Sequence, residues 1–148
     1  MTAAAPDGRR RPDGVWRNEL GATMTLIATA DGLLTGSYES QVGRASGRYG
    51  LAGRFDARPP ADAHAAVGWV VVWSNEAGNQ HSVTTWCGRY DADADLLHAT
   101  WLLTAEGSEH TGWCSTRVGQ DLFTRVGAIV DENAGAPDPG EGRARAVR

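Results

Sequence analysis

The chain contains no lysine: all fourteen basic residues are arginine, and against eighteen acidic residues they leave a formal net charge of -4. Tracking a phosphate backbone needs clustered positive charge, so nucleic acid is not the expected partner. Long apolar runs are missing as well. The longest stretch, around Val70, Val71, Val72 and Trp73, is the length of a strand and far short of the ~18 residues of a membrane-crossing helix, so no membrane partner is expected and the chain reads as soluble. Cysteine occurs only twice, at Cys87 and Cys114, which excludes a disulfide-dense scaffold or paired CxxC metal ligands and allows one bridge at most. The four histidines, His64, His81, His98 and His110, show neither HxH nor HExxH spacing, so no metal centre is expected. Arg9, Arg10 and Arg11 look like the start of a secretory leader, yet no apolar segment of the required length follows; the leader was removed or there was none.

Helical apolar periodicity is also absent. Instead, short runs rich in Thr, Val, Trp and Tyr recur every ~10 to 15 residues with turn chemistry between them, the mark of an all-β chain. Eight strands are expected, at 14–19, 23–30, 33–40, 48–56, 67–74, 80–90, 96–104 and 115–126. Asp31 and Gly32 suit a two-residue type I′ hairpin, which needs positive φ at both positions, and 75–79 and 91–95 read as longer polar turns. Links this short pair consecutive strands antiparallel, and eight of them can close on themselves and lose both edges. The expected fold is therefore an eight-stranded antiparallel up-and-down β-barrel over 14–127. The flanks, 1–13 and 128–148, are rich in Ala, Pro, Gly, Asp and Arg and read as tails without a core. At 148 residues one domain is expected.

Side chains alternate along a strand, so equal parity means a shared face. Ser82, Thr84 and Trp86 then share a face, as do Tyr38, Ser40 and Val42, then Trp16, Asn18 and Leu20, then Trp69, Val71 and Trp73, then Ala99, Trp101 and Leu103, and finally Asp121 with Gly119 and Phe123. One face of the sheet thus collects indoles and small polar groups. Each residue alone has an ordinary reading, since Trp in a small β-protein is usually core and Ser or Thr on a strand is usually a propensity choice. Together they differ, because unpaired polar groups in a dry lumen would cost ~1–3 kcal/mol each. A polar ligand in the lumen would pair them.

In this order the motifs resemble the avidin and streptavidin family of biotin-binding proteins. They are Gly-Val-Trp-Arg-Asn-Glu-Leu-Gly at 14–21, Leu-Thr-Gly-Ser-Tyr-Glu-Ser at 34–40, Gly-Trp-Val-Val-Val-Trp at 68–73, His-Ser-Val-Thr-Thr-Trp at 81–86, Trp-Leu-Leu-Thr at 101–104, Trp-Cys-Ser-Thr at 113–116 and Val-Gly-Gln-Asp-Leu-Phe-Thr at 118–124. The resemblance implies a non-enzymatic, high-affinity biotin binder with biotin as ligand and no cofactor. It implies that Asn18 and Tyr38 donate to the ureido oxygen, that Ser40 and Asp121 accept from the ureido nitrogens, that Thr84 approaches the thioether and that Ser82 meets the carboxylate. Trp73, Trp86 and Trp101 would form the walls, with Leu20, Val42 and Leu103 completing the lining. Trp113 would reach into a neighbouring subunit's site, implying a homotetramer, and the family context implies a secreted protein.

Three positions depart from the family pattern. Ala22 stands where a serine usually gives a third hydrogen bond to the ureido oxygen. Arg44 stands where an asparagine backbone N–H reaches the ligand carboxylate; its guanidinium would add a charge contact or point to water. Glu19 replaces a glutamine that supports the carboxylate corresponding to Asp121, and if the two acids approach, one of them holds a proton nearer neutral pH. Two other readings compete. Gly14, Val15 and Trp16 also fit the GxW that opens a lipocalin barrel, although lipocalin interiors are mainly apolar. A barrel hydrolase or isomerase could use Asp121 as a base with His81, but parity turns His81 away from the lumen. Cys87 and Cys114 would form a bridge between subunits or stay as thiols.

Overall fold

A computed structural model describes residues 11–40, 47–107 and 115–129. Its eight strands are β1 (Gly14–Asn18), β2 (Thr23–Ala28), β3 (Leu33–Glu39), β4 (Arg48–Phe55), β5 (Ala65–Asn75), β6 (Gly78–Asp91), β7 (Leu96–Ala105) and β8 (Thr116–Gly127). Every strand pairs antiparallel with the next, and β1 pairs with β8, so the sheet closes as an eight-stranded up-and-down barrel without a free edge.

The strand ends differ from the sequence reading by up to two residues, and the hairpins differ in kind. The β2–β3 link is four residues, 29–32, rather than a two-residue turn. Gly32 N–H donates to Thr29 O at 3.2 Å, and only Gly32 of the Asp31–Gly32 pair has positive φ (96°). A hydrogen bond between the Thr29 hydroxyl and the Asp31 carboxylate holds the loop, and the Leu33 N–H donates to the same hydroxyl at 2.9 Å, so these side chains set the turn. The β5–β6 link shortens to Glu76 and Ala77, with Asn75 opposite Gly78. Further along β6 the register shifts opposite Val72 to Ser74, close to His81, which has φ 53°.

Inward parity is kept all round the barrel. Trp16, Met24, Leu26, Leu34, Tyr38, Leu51, Trp69, Val71, Trp86, Leu97 and Phe123 are all at most 5 % exposed. Each indole buries ~150–250 Å², about 4–6 kcal/mol of gross transfer free energy at ~25 cal/mol per Å². In register across β4 to β8 lie Gly53, Trp69, Trp86, Trp101 and Gly119. The glycines at the two ends of this row make room for it. A Cβ on Gly53 would stand 2.7 Å from the Cα of Trp69, and one on Gly119 would stand 2.2 Å from the Trp101 ring.

One end of the barrel is stoppered by residues whose composition had placed them in the N-terminal tail. Trp16 Nε1–H donates to Pro12 O at 2.8 Å, and Pro12 is fully buried. The Arg125 guanidinium stacks 4.4 Å from the Trp16 ring centroid, pairs with Asp95 at 2.8 Å and donates to the carbonyls of Arg11 and Asp13. Tyr90 donates to Asp95 at 3.0 Å; burial, followed by that hydrogen bond, pushes its phenol up to about 12. With this end filled, open space in the lumen is left at the other.

Candidate ligand-binding site

At the open end the lumen holds a cavity of about 300 Å³, at the small end of the ~300–1,000 Å³ range of ligand pockets. Of the expected site residues, Asn18, Leu20, Ala22, Tyr38, Ser40, Trp73, Thr84, Trp86, Trp101, Leu103 and Asp121 line it. Leu20 lies beyond the end of β1 with 62 % of its surface exposed, which puts it at the mouth. Ser82 is half-buried one inward position before Thr84 on β6 and is outside the cavity wall. Val42, Arg44, Trp113 and Cys114 lie outside the described residues. Glu19 and Gln120 also line the cavity, and the sequence reading had not placed Gln120 there. Gln120 has outward parity on β8, so alternation alone cannot assign it to the lumen.

The polar groups of the cavity are oriented by partners within the protein. Asn18 Oδ1 accepts the N–H groups of Leu20 (3.1 Å) and Ala22 (2.9 Å), satisfying the tight turn after β1. The Asn18 amide nitrogen is thereby turned to the lumen, 3.5 Å from the Tyr38 hydroxyl. Burial, with the negative charges of Asp121 and Glu19 adding to it, raises the Tyr38 phenol well above its ordinary range, so Tyr38 stays a proton donor. On the far wall Trp73 Nε1–H donates to Thr84 Oγ1 at 2.8 Å, which leaves the Thr84 proton free to point elsewhere. Trp86 Nε1–H donates to Asp121 Oδ2 at 2.9 Å. Asp121 is only 8 % exposed, and burial raises its carboxyl above the ordinary carboxylate range. The charge of Glu19 acts in the same direction, while the Trp86 donation and weaker ones from Asn18 and Trp101 oppose it.

Aromatic packing makes these walls rigid. Tyr38 lies 5.1 Å from Trp86 and meets Trp73 edge-on at 5.6 Å; Tyr49 backs Trp73 at 4.9 Å, and Trp69 stacks on Trp86 at 5.6 Å with their planes 16° apart. A larger depression of about 560 Å³ lies over the outer face of β6 to β8, lined by Cys87, Arg89, His98, Thr100 and Leu122 and sharing Glu19, Gln120 and Asp121 with the lumen cavity. His81 is exposed, with its carbonyl accepting the Glu106 N–H at 2.9 Å, so it gives Asp121 no acid–base partner. Among the described residues no cluster of His, Cys, Asp or Glu is arranged to hold a metal ion.

A closed up-and-down barrel with GxW at its first strand does not by itself separate a lipocalin from a biotin binder; comparison with known proteins does. The model of the avidin family matches residues 8–126. Afifavidin from Afifella pfennigii is 32 % identical over 119 residues, an alignment spanning 79 % of this chain and 70 % of that protein. The lumen with its ring of indoles, the ordered motifs and the match over most of its length place this chain in the avidin family.

Proposed function

We propose that the lumen binds biotin tightly and non-covalently, with no chemical step and no cofactor. The observation that carries this reading is the placement of two donors, Asn18 and Tyr38, beside one ionisable acceptor, Asp121, on the floor of an indole-walled cavity. A cyclic urea is the complement of that set, having one carbonyl acceptor and two N–H donors. Asn18 Nδ2 and the Tyr38 hydroxyl donate to the ureido oxygen. The Asp121 carboxylate, whose strongest donor within the protein is Trp86, accepts one ureido N–H in place of the weaker donors while Ser40 takes the other. Donation to the oxygen and acceptance from the nitrogens polarise the ring in the same sense, so each charge-assisted bond strengthens the others. The Thr84 hydroxyl, with its acceptor side used by Trp73, gives its proton to the thioether. Trp73, Trp86 and Trp101 enclose the bicycle, and Leu20, Val42 and Leu103 line the path of the valeryl chain.

Ser82 meets the ligand carboxylate at the mouth, and Arg44, by the family pattern, either adds a charge contact to it or points to water. In the full reading the protein is secreted and assembles as a homotetramer, with Trp113 of each subunit covering a neighbour's site. Calorimetric titration with biotin tests the proposal: one ligand per chain with an affinity too tight to titrate directly is expected, and a long-chain fatty acid should give no heat. Absence of biotin binding at ~100 µM ligand would refute it, since a Kd weaker than that retains under ~6 kcal/mol, less than these charge-assisted bonds together should give.

A further inference from the structure

The β1–β8 ladder ends at the pair Asn18 and Phe123, and beyond it a side chain takes over. Glu19 Oε2 accepts the backbone N–H of Leu122 at 3.0 Å, in the place where the next rung would be. Leu122 follows Asp121 directly, so the Glu19 carboxylate is tied to the stretch of β8 that carries the acceptor of the site. Glu19 also lines both the lumen cavity and the outer depression, so its charge stands at the boundary between them. We propose that Glu19 is a positioning residue for Asp121: it fixes that segment of β8 against the end of β1, and its negative charge makes the grip on the ligand proton-linked, weakening in acid. This inference rests on the biotin-binding reading of the lumen.

The groups facing the Asp121 carboxylate support it. From β1 come Asn18 and, just past its end, Glu19; from β3 comes Tyr38, which stays neutral; from β6 and β7 come the indoles of Trp86 and Trp101. None of these is a cation. Arg89 and His98, on the outer face of β6 and β7, line the outer depression together with Glu19 and Asp121, but neither contributes to the shift of the Asp121 carboxyl, whereas the charge of Glu19 does. Among the described residues lining the lumen no cation offsets the like charge of Glu19. A ureido N–H needs the ionised acid as acceptor; once Asp121 takes a proton, it turns into a competing donor. Binding should weaken about tenfold per pH unit below the carboxyl's titration midpoint, and the charge of Glu19 moves that midpoint upward.

The test compares wild type, Glu19→Gln and Glu19→Ala. Glutamine keeps an acceptor for the Leu122 N–H and removes the charge; alanine removes both. Biotin affinity is measured by displacement calorimetry from pH 4 to 9, and the Asp121 carboxyl is titrated by ¹³C NMR in the ligand-free protein. Expected are a lower Asp121 midpoint in Glu19→Gln and an acid limb displaced to lower pH, with binding at pH 4 severalfold tighter than wild type. For Glu19→Ala, about a tenfold loss at every pH is expected as the β8 segment loosens. Superimposable wild-type and Glu19→Gln affinity profiles, or an Asp121 midpoint that does not move, would overturn the inference. If wild type bound no biotin at any pH the ligand assignment would fall, and the NMR midpoint would still decide the role of Glu19 either way.

Discussion

Ala22→Ser is the sharpest perturbation of the proposed site because it should improve binding. Ala22 is 4 % exposed and lines the cavity at the start of β2, and its N–H donates to Asn18 Oδ1 at 2.9 Å. Its backbone is thus tied to the Asn18 carboxamide, whose nitrogen lies 3.5 Å from the Tyr38 hydroxyl, and all three residues line the same cavity. A serine hydroxyl there adds a third donor to an oxygen that already carries developing negative charge. A hydrogen bond to such an acceptor is worth ~1.5–3 kcal/mol, or about one to two decades in Kd. The cost in the free protein is small, because the cavity admits water to the new hydroxyl and one added oxygen fits within about 300 Å³. Most of the gain should appear as slower dissociation, read by chasing labelled biotin with excess unlabelled ligand. Circular dichroism and thermal unfolding would establish that the barrel is intact. If the folded variant released biotin at the wild-type rate or faster, the ureido oxygen would not lie between Asn18, Tyr38 and position 22, and the ligand orientation argued above would be wrong.

Asp121→Asn should abolish tight binding while stabilising the ligand-free barrel. Because folding raises this carboxyl's pKa, its ionisation disfavours the folded state, so the gain in melting temperature is absent below the unfolded pKa of ~3.9 and grows as pH rises through the raised folded value; a gain independent of pH would contradict this. Thr84→Val keeps the side-chain shape and leaves the buried Trp73 Nε1–H without its acceptor, which should cost ~1–3 kcal/mol in urea denaturation; an unchanged midpoint would show that the indole finds another partner. Gly119→Ala sets a Cβ 2.2 Å from the Trp101 ring and should push that indole off the cavity wall, changing tryptophan fluorescence and weakening biotin binding with the β-sheet circular dichroism spectrum preserved; loss of that spectrum would mean the backbone cannot adjust.

The walls of the site were legible because a barrel imposes one rule on every strand. Once 82, 84 and 86 shared a face with 69, 71 and 73, closure had to bring both sets to the same lumen, and the register of β5 to β7 does so. What escaped depends on partners far apart in the chain. Asp31 and Gly32 suggested a two-residue turn, but the Thr29 hydroxyl captured the Asp31 side chain and extended the loop. Pro12 and Asp13 had the composition of a tail, yet Arg125, more than a hundred residues later, needed acceptors at the closed end and found them in the Arg11 and Asp13 carbonyls. Gly119 had the right parity, but the need for glycine there follows from the Trp101 ring across the β7–β8 pair, which no local pattern records.

The same long-range pairing determines how the cavity can bind at all. Asn18 and Thr84 spend acceptor capacity on Leu20, Ala22 and Trp73, and Asp121 spends one oxygen on Trp86, so what remains of each group points in one direction before any ligand arrives. A group held in this way loses little freedom on binding, and the ordering cost of ~0.5–1.5 kcal/mol per mobile side chain is largely avoided. The aromatic contacts around Tyr38 and Trp86 extend this rigidity to the walls. Affinity in this site should therefore respond more to loss of a supporting partner than to loss of apolar area. Glu19→Ala, which removes a partner of β8 and little cavity surface, should weaken binding more than trimming Leu103 to alanine at the cavity wall.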